Sequence, residues 1–80
     1  MLNGVGFEIL LTSPPDYNGL VAEIFYDGKF VILVNQERGV GLFEIETPGV
    51  GLIEAEVIRR VDLRGFMAAL EMACQRLSAK

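Results

Sequence analysis

The dipeptide Asp27-Gly28, set between Leu20–Tyr26 and Phe30–Asn35, constrains the fold more than any other feature of this chain. Both flanks are rich in β-branched and aromatic residues, and Asp-Gly readily takes the positive φ angles of a tight antiparallel reversal. The pattern predicts a β-hairpin. Its turn can close with two residues, or as a type I turn whose glycine occupies a left-handed bulge position, and the choice moves side chains between faces. The bulged form segregates charge better and is the expected one. It puts Leu20, Ala22, Ile24 and Tyr26 on one face with Phe30, Ile32 and Val34. Val21, Glu23, Phe25, Lys29, Val31 and Leu33 then share the other face.

Around this hairpin the apolar periodicity adds further elements. Val5–Leu11 alternates as a strand, with Val5, Phe7, Ile9 and Leu11 opposite Glu8, and runs into a turn-rich loop, Thr12-Ser13-Pro14-Pro15-Asp16-Tyr17-Asn18-Gly19. Val40–Glu46 alternates again and stops at Thr47-Pro48-Gly49, because proline cannot donate to a ladder. Val50–Arg60 alternates weakly as a strand and also contains good helix formers, so it reads as a connection with short extended or helical structure, and an extra strand near Ile53–Ile58 is compatible with it. Asp62 is an expected N-cap. Beyond it Leu63, Phe66, Met67, Leu70, Cys74 and Leu77 recur at three- and four-residue spacing, which predicts an amphipathic helix. The expected fold is α+β: a small antiparallel sheet of four strands, five if the extra one forms, with one C-terminal helix packed on one face. Residues 1–80 make a single domain. The triplet Gly-Val-Gly occurs at 4–6, 39–41 and 49–51, where glycines beside strands mark bends or bulges.

The residue inventory excludes much chemistry. There is no His, so the commonest general base and the commonest transition-metal ligand are both missing. Cys74 is the single cysteine, lies on the helical stripe and has no partner for a disulfide. The glycine triplets do not continue as G-x-G-x-x-G and no G-K-[ST] follows, so a phosphate loop is not expected. Glu44 with Glu46, and Glu54 with Glu56, would project in pairs from extended segments and could hold a hard cation or share a proton. No compact acidic loop accompanies them, and solvated strand faces are the plainer reading. No catalytic, metal-binding or cofactor-binding residue is assigned; an enzyme is not expected.

Seven Lys and Arg stand against eleven Asp and Glu, a net charge of −4, which disfavours nucleic acid. The charge is uneven: residues 1–58 carry −7 and residues 59–80 carry +3. Glu8, Asp16, Glu23, Asp27 and Glu37 add to an acidic surface suited to steering a basic protein. Arg59, Arg60 and Arg64 sit at the positive end of the helix dipole, so helix stability does not explain them; the candidate partners are Glu54 or Glu56, acids on the sheet, or acids of a second subunit, with intrachain pairing the plainer reading. No basic leader precedes an apolar segment, and Phe30–Val34 is too short to cross a membrane, so a cytoplasmic location without membrane contact is expected.

With 51% hydrophobic residues in 80, a chain that buries only about 60% of its unfolded surface has apolar area left over. One helix can cover one face of a sheet. The second face, with Val21, Glu23, Phe25, Val31 and Leu33, is therefore the expected interface. Self-association as a homodimer is its expected use, and the acidic surface remains for a basic partner, in the manner of small inhibitor or immunity-type proteins. The alternative is a small-ligand or divalent-metal domain built on Glu44, Glu46, Glu54 and Glu56 with Tyr17 or Tyr26.

Overall fold

A computed structural model describes residues 6–49 and 53–79. Strands β1 (Phe7–Thr12), β2 (Val21–Tyr26), β3 (Lys29–Asn35) and β4 (Glu44–Glu46) form one antiparallel sheet in that spatial order, and helix α1 (Leu63–Ser78) follows. The fold is the expected small α+β arrangement. Val5 and the triplet residues Gly4, Val50 and Gly51 lie outside the described residues.

The hairpin departs from the expected register in an instructive way. Asp27 and Gly28 both have positive φ, 54° and 78°, so the turn closes with two residues and pairs Tyr26 with Lys29. The extra residue sits further along: Phe25 pairs with Phe30 but Ile24 pairs with Ile32, which leaves a bulge at Val31. Ala22, Ile24, Ile32 and Val34 therefore share a face as expected, whereas Phe30 and Val31 exchange roles. Phe30 stacks edge-on against Phe25, with ring centroids 5.8 Å apart. Val31 joins the core beside Ile32. A bulge turns two consecutive side chains toward the same side, which strict alternation cannot foresee.

The fourth strand is shorter than the expected Val40–Glu46. Gly39 and Gly41 have φ of 141° and 81°, and Leu42 N–H donates to the Gly39 carbonyl at 3.0 Å, so the chain is still turning at Leu42. Of the extended and helical forms open to the connection, Glu54–Glu56 takes the helical one, a single 3-10 turn. The extended character expected near Ile53–Ile58 reduces to a single parallel bridge between Val57 and Phe30, with Ile58 N–H on the Phe30 carbonyl at 3.1 Å.

Asp62 caps α1 as expected, its Oδ2 accepting from the Gly65 N–H at 2.8 Å. The buried seam is centred differently from the predicted stripe: Ala69, Ala73 and Leu77 are buried and Phe66, Leu70 and Cys74 pack beside them, while Leu63 and Met67 are exposed. Two alanines let the helix axis approach the sheet closely. At about 100° per residue, Met67 lies about a third of a turn from the centre of the Ala69–Ala73–Leu77 line. The flank with Gly65 and Arg76 lies over β1, since Phe7 packs against Gly65 and Arg76 Nη1 donates to the Ile9 carbonyl at 3.3 Å. Phe7, Ile9, Leu11, Ala22, Ile24, Tyr26, Ile32 and Val34 complete this helix-side core. Burial of this kind stabilises by about 25 cal/mol per Å² of apolar area.

The Cα envelope is 34 × 29 × 15 Å, a thickness that accommodates one sheet and one helix layer. No helix among the described residues is long and apolar enough to cross a membrane.

Candidate interaction surface

Cross-strand partners share a face, so the register defines the side of the sheet away from α1. Glu8, Phe25 and Phe30 form one row, and Leu10, Glu23, Leu33 and Glu46 form the next; Thr12 and Val21 pair beyond them. The two ends of this face differ. At the Thr12 end the connection between β1 and β2 folds back over the sheet. Tyr17 Oη donates to Glu46 Oε1 at 2.8 Å, and Asn35 Nδ2 donates to Glu46 Oε2 at 2.5 Å. Glu37 N–H donates to Asn35 Oδ1 at 3.0 Å, and Asn18 N–H donates to the Glu37 carboxylate at 3.0 and 3.1 Å. These bonds tie the loop to β3, to β4 and to the turn between them.

The consequence is local closure. Val21 is 0% exposed and Asn35 is buried with both ends of its amide engaged. The Thr12 hydroxyl is also buried, and among the described residues it has no hydrogen-bond partner. The Tyr17 hydroxyl is held neutral: its pKa is pushed up to about 12, first by the bond to Glu46, then by burial and by the charges of Glu46, Asp16 and Glu37. Alternation alone leaves this face wholly for another polypeptide; in the structure the chain's own loop covers one end of it.

The other end stays open. Leu10 is 52% exposed, and Glu23, Phe25, Phe30 and Leu33 are half-buried. A cleft of about 330 Å³ lies between Glu8, Ile9, Leu10, Phe25 and Gly28, and one of about 420 Å³ adjoins it at Gly6, Phe7, Glu8, Asp27 and Gly28. Of the five residues assigned to the interface, the structure brings Glu23, Phe25 and Leu33 together on this open area. It places Val21 at the closed end and Val31 in the core under α1. Leu10 and Phe30 extend the patch. Leu10 was legible, because strand alternation puts it beside Glu8; Phe30 follows from the two-residue turn, which pairs it with Phe25, and not from the bulged turn that was expected.

Glu44, Glu46 and Glu54 are engaged individually. Glu46 serves Tyr17 and Asn35, and Glu44 approaches Arg38 at 3.9 Å. Glu54 takes a two-pronged bond from Arg59 at 2.5 and 2.9 Å, which holds its carboxyl below the ordinary range and raises the guanidinium. That is the intrachain pairing expected for Arg59. Tyr26 is on the helix side against Phe7, ring centroids 4.7 Å apart. Among the described residues no group of three or more Asp, Glu, Cys or His side chains could hold a metal ion. Cys74 is half-buried, and desolvation raises its thiol pKa, which suits packing rather than nucleophilic attack. Comparison with family models, curated proteins and solved structures finds no match to this chain.

Proposed function

We propose that this protein is a non-enzymatic interaction module that self-associates through the open end of its second sheet face and offers an acidic surface to a basic protein. One observation carries the reading: Phe25, Phe30 and Leu33, each half-buried, lie with the exposed Leu10 on the sheet face opposite α1. A contiguous aromatic and aliphatic patch of this kind on a small domain marks an interface, and each such side chain contributes about 1.5–3 kcal/mol when fully buried. Glu23 at its centre limits what can pack there, and a symmetric pairing must set that carboxylate at the rim.

The acid pairs give the ligand-binding alternative no comparable support, since Glu46 and Glu54 are already bonded within the chain. Light scattering coupled to gel filtration tests the self-association: a mass of twice 8.8 kDa at tens of micromolar is expected, and a monomer mass would overturn it. Phe25→Asp is expected to give the monomer with its helical circular dichroism intact. Loss of that signal would assign Phe25 to the core of the protomer.

A further inference from the structure

The sheet has an edge that no described segment covers along its length. β1 pairs with β2 on one side only, and two bonds fix which backbone groups face outward. Gly6 C=O accepts from the Asp27 N–H, on the β2 side, whereas Ile9 C=O accepts from Arg76 on the helix flank. Backbone polarity alternates along a strand, so Phe7, Ile9 and Leu11 present their N–H and C=O groups away from the sheet. Among the described residues, Arg76 on Ile9 is the one contact these groups receive.

Beside that edge the second face offers Glu8 and then, two residues along, Leu10. Glu8 has Phe25 as its cross-strand neighbour and Leu10 has Glu23, and the clefts at Glu8, Leu10, Phe25 and Asp27 open there. Glu8, Glu23 and Asp27 have no ion-pair partner among the described residues. We propose that the outer edge of β1 receives an extended segment of a basic partner protein as a fifth strand, with a lysine or arginine opposite Glu8 and an apolar side chain opposite Leu10. This rests on the reading of the chain as an interaction module with an acidic surface, and it supplies the partner's chemistry and its mode of docking. Main-chain bonds to Phe7, Ile9 and Leu11 give affinity, and the alternate side chains give selectivity.

Arg76 guards the edge in the free protein. Its guanidinium occupies the Ile9 acceptor and places a positive charge where a basic strand must arrive, a protection of the kind exposed edge strands carry. Docking displaces it.

Fluorescence anisotropy with short labelled peptides tests the proposal on the full chain. Two peptides carry Lys-Val-Leu or Leu-Val-Lys at their centre; a parallel added strand selects the first and an antiparallel one the second. One of them is expected to saturate, with affinity falling as salt rises. Replacing its lysine by glutamate, or N-methylating alternate backbone nitrogens, is expected to weaken binding by about tenfold or more. Glu8→Lys should weaken it likewise, and Arg76→Ala should tighten it severalfold. No saturation up to millimolar peptide, equal binding of the glutamate peptide, or indifference to N-methylation in both registers would overturn the proposal. The oligomeric state separates the two readings. A monomer that binds the lysine peptide retires the self-association and keeps the edge, and a dimer blind to every peptide does the reverse.

Discussion

Tyr17→Phe removes one oxygen from the loop that closes the Thr12 end of the second face, and leaves the ring in place. The lost bond is charge-assisted, 2.8 Å long and partly buried, so its gross scale is about 1.5–3 kcal/mol. The titration of the phenol gives a second measure. Displacement from 10.0 to about 12 is equivalent to about 2.7 kcal/mol at 1.36 kcal/mol per decade. Tyr17 sits on a surface loop where water screens the charge, so both figures reduce to about 1 kcal/mol. In a domain of this size that is about 4–8 °C in Tm. A raised phenolic pKa means the neutral form favours the folded state. The stabilisation is therefore complete below about pH 10 and disappears as pH rises from 10.0 toward about 12. Thermal melts of the native chain and the Tyr17→Phe variant should differ by several degrees at neutral pH and converge across that alkaline window. Equal melts at neutral pH, or a difference that persists unchanged past about pH 12, would refute the assignment of the loop closure to this bond.

Three other perturbations probe the packing. Gly6→Ala forces a side chain onto a φ of 86° and sets its Cβ 2.7 Å from the Tyr26 ring; a loss of about 1–3 kcal/mol in urea unfolding is expected. Ala73→Leu inserts volume where the helix meets the sheet at 0% exposure, and overpacking should cost about 1–3 kcal/mol, read from the same transition. The Cys74 thiol, raised by desolvation, should react with iodoacetamide more slowly in the folded chain than in denaturant, and equal rates would show that the site is open.

Some of the fold was legible because its causes are local. Asp27-Gly28 specifies a tight reversal through φ angles that few residue pairs adopt, and Asp62 specifies a helix start through a side chain that reaches its own backbone three residues on. The candidate surface was legible only in part. Glu23, Phe25 and Leu33 follow from alternation along β2 and β3, whereas the same rule puts Val21 and Val31 on the surface and both lie inside. A bulge changes parity at one residue without any proline or glycine to announce it. The shift of the helix seam from Met67 to Ala69 and Ala73 has a similar origin: hydrophobicity ranks methionine above alanine, but the depth of contact depends on how near the backbones come.

The amino-acid sequence by itself determined the hairpin, the capped helix, the exclusion of histidine-based chemistry and the excess of apolar residues, each of which depends on composition or on neighbours within a few positions. Only the tertiary structure decided which apolar residues remain available to a partner. Tyr17 meets Glu46 across twenty-nine positions, and Arg76 meets the Ile9 carbonyl across sixty-seven. Such long-range contacts, which close one end of a face and guard one edge of a sheet, arise from the assembled geometry and leave no periodic trace along the chain.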